Sequence, residues 1–145
     1  MKVKILNIKK THNKRLSSTL IPVFRDKVSA GFPSPAEDYI ERELDLNELC
    51  IKNPSSSYFV EVDGDSMIDA GIYPNDILVV DRSITVQHGN IIIACLNNEL
   101  TVKEIHLKPT PILVPHNSSY SPITITDSHE FEVFGVVTNI IRKLK

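Results

Sequence analysis

The sequence has no tryptophan, only two cysteines, and no apolar run of the length a membrane helix needs. A membrane-crossing helix takes roughly 18 or more apolar residues in a row, so none is expected. The N-terminus, Met1-Lys2-Val3-Lys4-Ile5-Leu6, is charged and lacks the apolar stretch of a signal peptide. The expected location is the cytoplasm, with no membrane partner. Cys50 and Cys95 each stand among apolar neighbours, as in Leu49-Cys50-Ile51 and Ala94-Cys95-Leu96, and read as small buried side chains. The five histidines do not cluster at metal-ligand spacing. No metal and no cofactor is expected.

What is present is a 145-residue chain, 41% hydrophobic and 23% charged. That length suits one domain with a real core, and that charge content is too low for a disordered chain. The net charge of −2 hides an asymmetry. Residues 1–30 hold eight Lys/Arg and one acid, a net +7, while residues 31–145 hold eight Lys/Arg and seventeen Asp/Glu, a net −9. A basic arm on an acidic body has two readings: contact with nucleic acid or docking along its own body. Residues 1–30 show no helix-turn-helix pattern, which favours self-docking and argues against sequence-specific DNA binding.

Residues 3–8 predict a short strand, and Ile21-Pro22-Val23-Phe24 an extended patch at an edge, because proline cannot donate to a central ladder. Ser29-Ala30-Gly31-Phe32-Pro33-Ser34-Pro35 is held non-helical by its prolines and glycine. Ser34, Pro35 and Glu37 form a capping signature for a helix over Ala36–Glu41. A second helical turn is expected over Leu46–Cys50. Beyond Pro54 the pattern is β: strands are expected at 58–62, 77–80, 90–96, 99–107, 112–114 and 131–141, with Asn97-Asn98 as a hairpin turn. The expected fold is mostly β, a compact barrel-like body at 31–145 behind an arm at 1–30.

Two residues carry the chemistry. Ser66 sits in Gly64-Asp65-Ser66-Met67, a turn closed around Gly71, and Lys103 follows in the apolar run Leu100-Thr101-Val102-Lys103-Glu104-Ile105. A serine hydroxyl needs a base and donors for the oxyanion that forms. A lysine serves as that base only when neutral. Bringing its pKa from about 10.4 to near 7 means disfavouring the ammonium by roughly 4–5 kcal/mol, which burial can supply. Lys103 is the only lysine within residues 53–107. Backbone N–H groups around Ser66 are the natural oxyanion donors. Against this, a serine after Gly-Asp is commonly a plain turn residue and a lone strand lysine commonly an outward charge. Both faces of 100–107 mix apolar and polar groups, so alternation does not decide which way Lys103 points. The residues alone leave the pair a candidate.

The longer string Gly64-Asp65-Ser66-Met67-Ile68-Asp69-Ala70-Gly71-Ile72, followed by Asp76-Ile77-Leu78-Val79-Val80-Asp81, resembles the LexA/UmuD family of self-cleaving Ser–Lys peptidases. The resemblance extends over Ala30–Ala36, Asp45-Leu46-Asn47, Thr101-Val102-Lys103, Asn117–Ile125 and Val133–Val137. It implies a LexA/signal-peptidase-like fold, Ser66 as nucleophile, Lys103 as general base, and Ala30-Gly31 as the bond the chain cuts in itself. It further implies a homodimer of the SOS response, stimulated by a RecA–single-stranded DNA filament. Once trimmed, that dimer joins a UmuC-type translesion polymerase subunit. LexA-type repressors carry an N-terminal DNA-binding domain, and about 30 residues ahead of the cut leave no room for one. The competing reading is a non-cleaving binding module that restrains or recruits a DNA polymerase. Intact mass after incubation at high pH discriminates the two. A signal peptidase would need a membrane anchor.

Overall fold

The computed structural model describes residues 2–5, 18–24, 27–32 and 40–145. They fall into two compact units. One contains the strand at 2–5 together with residues 53–145, and the other contains what is described of residues 10–52.

The larger unit is one eight-stranded antiparallel sheet. Its strands are β1 (Lys2–Ile5), β4 (Ser57–Asp63), β5 (Ile77–Asp81), β6 (Ile91–Leu96), β7 (Glu99–His106), β8 (Ile112–Val114), β9 (Ile123–Thr124) and β10 (Phe131–Ile141). They lie in the order β1-β4-β5-β10-β6-β7-β8-β9. β1 also comes near β7, so the sheet curls back on itself in the barrel-like manner expected. The smaller unit pairs β2 (Ile21–Phe24) with β3 (Ile40–Leu44) and adds the short helix α1 (Leu46–Cys50).

Local sequence explains most of these elements. Asn97 and Asn98 take positive φ of 50° and 64°, the geometry a two-residue hairpin turn demands, and they join β6 to β7. Asp45 caps α1, its carboxylate accepting from the Asn47 N–H at 2.8 Å. β6 is apolar throughout because both of its faces are covered. Ile93 belongs to a core cluster with Val60, Val62, Met67, Ile72, Leu78, Val80 and Val102. Ile92 and Ala94 join Ile105, Leu113 and Val136 in a second cluster. Gly135, at φ 148°, crosses tightly over β5: a Cβ there would stand 2.6 Å from Val80 Cγ1. The register of β10 against β6 shifts beside it, between Val133 and Gly135.

Two expectations met a different structure. The helix anticipated over 36–41 rests on Ser34, Pro35 and Glu37, which lie outside the described residues. Its end does not hold, because Ile40 and Glu41 open β3, where pairing to β2 fixes an extended backbone. β9 was not anticipated; two residues are too few to carry a period. The other strands fall where expected, β1 over the described part of 3–8, and α1 occupies Leu46–Cys50. Among the described residues, no helix is long and apolar enough to cross a membrane.

Candidate active site

The turn after β4 presents Ser66. Gly64 and Gly71 adopt φ of 92° and 80°, values that L side chains rarely take. They bracket a tight path into a single 3-10 turn at Ile68–Ala70. Met67 is fully buried and anchors the turn in the first core cluster, a contribution of about 2–3 kcal/mol by side-chain burial. The opposite wall comes from residues 116–120. The His116 N–H donates to the Ser66 carbonyl and the Asp69 N–H to the His116 carbonyl, both at 2.8 Å. Asn117 Nδ2 donates to the Asp65 carbonyl at 3.0 Å, and the Tyr120 hydroxyl to the Asp65 carboxylate at 2.6 Å. That last bond holds the Tyr120 phenol above its ordinary pKa, since losing the proton would set two anions together. Ser66 itself is inaccessible to solvent.

Lys103 approaches from β7. Register resolves the direction that its sequence left open. Lys103 pairs with Ile92 and Thr101 with Ala94, so both share the face of the second core cluster. Val102, between them, belongs to the first. β7 is thus buried on both sides, which is why alternation was uninformative. Lys103 retains 4% of its exposure. Its Nζ stands 3.2 Å from Ser66 Oγ, 2.7 Å from Thr101 Oγ1 and 3.1 Å from the Val102 carbonyl. Burial pulls its pKa from 10.5 down to about 8.

Those three neighbours suit a neutral amine. Protonated, Nζ donates to all three oxygens; once neutral, two N–H groups keep Thr101 Oγ1 and the Val102 carbonyl, and the lone pair turns to the Ser66 hydroxyl. Among the described residues, the amide N–H groups of Ser66 and Met67 have no acceptor within the chain. A cleft of about 290 Å³ opens beside Lys103, lined also by Leu96, Leu100, Thr101, Tyr120 and Ile123. The larger cleft, about 670 Å³ around Tyr73, Asp76 and Arg142, includes neither Ser66 nor Lys103. Arg142 bonds Asp76 through Nε at 2.6 Å and Nη2 at 2.5 Å, and its Nη2 also donates to the Gly71 carbonyl at 2.8 Å. The end of the chain thereby clamps the far side of the serine turn.

The structure therefore brings Ser66 and Lys103 together. Ala30 and Gly31 belong to the other unit, in an exposed stretch between β2 and β3, where the Gly31 N–H donates to Ser29 Oγ at 3.2 Å. Thr101, His116, Asn117, Tyr120 and Arg142 were not singled out from the sequence as site residues. Only Thr101 had a usable signal, since a threonine two before a strand lysine shares its face. No group of three or more His, Cys, Asp or Glu able to hold a metal occurs among the described residues.

Comparison with known proteins gives the family. The Peptidase S24-like family matches residues 22–138. Protein MucA of Salmonella typhimurium is 48% identical over 120 residues, 82% of each chain. Protein ImpA of Shigella flexneri is 44% identical over 132 residues, covering 86% of this chain and 85% of its own. The LexA repressor of Bordetella avium is 36% identical over 128 residues, 88% of this chain and 59% of the repressor. The chain belongs to the Peptidase S24-like family, as a UmuD-type relative of LexA and a self-cleaving peptidase of the SOS response.

Proposed function

We propose that the chain cuts its own Ala30-Gly31 bond with Ser66 as nucleophile and Lys103 as general base. The observation that carries this reading is the 3.2 Å approach of Lys103 Nζ to Ser66 Oγ inside a buried site that depresses the lysine's pKa. Neutral Lys103 accepts the hydroxyl proton as Ser66 Oγ attacks the Ala30 carbonyl carbon. The oxyanion is received by the amide N–H groups of Ser66 and Met67, which have no acceptor among the described residues. As the tetrahedral species collapses, Lys103 gives the proton to the Gly31 nitrogen, which leaves as a new N-terminus while residues 1–30 stay esterified to Ser66. Water then attacks the Ala30–Ser66 ester, again with Lys103 as base.

The scissile stretch suits its role. Residues 27–32 are exposed, and a Cβ on Gly31 would meet nothing within 4 Å, so the backbone is open to approach. Residues 1–30 form the removable basic arm and 31–145 the retained acidic body. The partners follow the family resemblance: a second copy of the chain in a cytoplasmic homodimer, a RecA–single-stranded DNA filament that stimulates cutting, and a UmuC-type translesion polymerase subunit that takes up the trimmed dimer.

The test is intact mass after incubation of the purified chain, with and without a RecA–single-stranded DNA filament. The expected product begins at Gly31. A chain that stays whole under alkaline conditions and with the filament, or one cut elsewhere, contradicts the assignment.

A further inference from the structure

β1 is the terminal strand of the sheet, hydrogen-bonded to β4 and lying near β7. β4 pairs with β5 over Ser57–Glu61 on one side. Its other side is taken by β1 alone, with Lys2 opposite Asp63, Val3 opposite Val62, Lys4 opposite Glu61 and Ile5 opposite Val60. On β4 itself the acids Glu61 and Asp63 alternate with the valines Val60 and Val62. Cross-strand pairs of opposite charge and of apolar residues favour association. Val60 and Val62 belong to the core, while Glu61 and Asp63 fall on the other, more exposed face. The β4 edge therefore reads a segment in which basic and aliphatic residues alternate.

The covalent tie of β1 to this edge runs through residue 30. While it is intact, the strand is present at the high effective concentration of a tethered segment. A cut between Ala30 and Gly31 falls between β2 and β3 and releases β1 from covalent attachment to the sheet. A four-residue strand then has to hold by affinity alone, against the lost freedom of association. Its departure bares a row of unpaired N–H and C=O groups, the template for strand addition. The remaining 31–145 body carries −9, so the bared edge favours a basic occupant.

We propose that the outer edge of β4, Val60–Asp63, is a strand-docking site that β1 closes in the intact chain. Removal of residues 1–30 opens it to an extended segment of a partner protein in which Lys or Arg alternates with aliphatic residues. This rests on the proposed removal of residues 1–30, but its test does not.

The full chain carrying Ser66→Ala, which is not cut, is compared with the same chain also carrying Val3→Pro and Lys4→Pro. Adjacent prolines remove whichever of the two N–H groups faces β4. Hydrogen exchange of the Glu61 and Asp63 amides, which alternate with the inward-bonded Val62 N–H and so face β1, is expected to quicken at least tenfold in the proline chain. A labelled peptide of residues 1–8 is expected to restore their protection, and the parent chain is expected not to take it up. A peptide with Lys2→Glu and Lys4→Glu should bind at least tenfold more weakly. Unchanged exchange in the proline chain overturns the proposal, as does a peptide that protects nothing at millimolar concentration or binds equally well with its charges reversed. Intact mass of the Ser66 chain reports on cutting separately, so failure of one reading is distinguishable from failure of the other.

Discussion

Lys103 Nζ and Ser66 Oγ lie 3.2 Å apart although 37 residues separate them in the chain. The serine comes from a turn pinned to residues 116–120, the lysine from a strand buried on both faces. Neither depends on the other for its position. Ser66→Ala and Lys103→Met are therefore each expected to abolish release of residues 1–30 while leaving the far-UV circular dichroism and the cooperative unfolding transition in place. Intact mass and a thermal melt on the same samples check this. Wild-type cutting in either variant contradicts the dyad.

The pH dependence follows from burial of the lysine. With a pKa of about 8, roughly a tenth of Lys103 is neutral at pH 7. The rate of self-cleavage should climb about tenfold between pH 7 and 9 and then level off. A rate flat from pH 7 to 10 rules out a lysine base. Stability moves with it. The folded pKa lies below the unfolded value, so the unfolded chain binds the extra proton between them and stability rises across about pH 8 to 10.5. The depression from 10.5 to about 8 corresponds to about 3 kcal/mol of disfavoured charge at pH 7. Lys103→Met should remove that rise, as read by chemical denaturation at pH 7 and pH 10.

Thr101 positions the lysine without touching the bond to be cut. Its Oγ1 accepts from Nζ at 2.7 Å, the shortest of the three bonds to that nitrogen. Thr101→Val keeps the shape and removes the acceptor. The charged lysine loses more than the neutral one, because hydrogen bonds to ions are the stronger. The midpoint of the pH–rate profile should therefore move down, while the plateau rate falls about tenfold as Nζ loses its orientation. A structural role alone would lower the plateau and leave the midpoint in place.

Gly135 offers a test of the fold apart from the chemistry. A methyl group there meets Val80 Cγ1 at 2.6 Å and the Asp81 carbonyl oxygen at 3.1 Å, at a φ of 148°. The carbonyl is backbone and cannot turn aside. Gly135→Ala should destabilise the larger unit by about 1–3 kcal/mol, measured as a lower denaturation midpoint with an unchanged slope.

Where the sequence was legible, one residue or a short pattern decided the structure. Asn97-Asn98 fixed a turn, Leu46–Cys50 read as a helical turn ahead of Pro54, and the apolar run ending at Leu96 read as a strand leading into that turn. β3 was not legible, because Ile40 and Glu41 become extended through pairing with β2, sixteen or more residues earlier, which no local propensity reports. The site divides in the same way. Ser66 and Lys103 stood out by residue type, and family resemblance joined them. The groups that hold the serine turn act largely through backbone atoms, as His116 does, or across the whole chain, as Arg142 does. Such roles leave no mark on residue identity.

Arg142 gives the longest-range prediction. It lies just beyond β10, yet its guanidinium grips both Asp76 and the Gly71 carbonyl, and it stacks over Tyr73 with Cζ 4.5 Å from the ring centre. Asp76 is 1% exposed. The Arg142 bonds, before any other influence, hold its carboxyl below the ordinary carboxylate range. Arg142→Ala leaves that buried carboxylate without its cation and frees one end of the serine turn. The expected loss of stability at pH 7 is about 2 kcal/mol, the scale of hydrogen bonds to charged groups. A depressed carboxyl stabilises the fold above its unfolded pKa of about 3.8 and loses that contribution as pH falls through the folded value. The stability gap between Arg142→Ala and wild type should therefore be widest at neutral pH and close under acid. Because Gly71 ends the turn that carries Ser66, the variant should also cut more slowly at pH 9, where Lys103 is mostly neutral. Arg142→Lys keeps the charge but not the two-pronged grip, and should recover part of the stability and little of the rate. Equal cutting rates for Arg142→Ala and wild type at pH 9 would show that the clamp serves the fold alone.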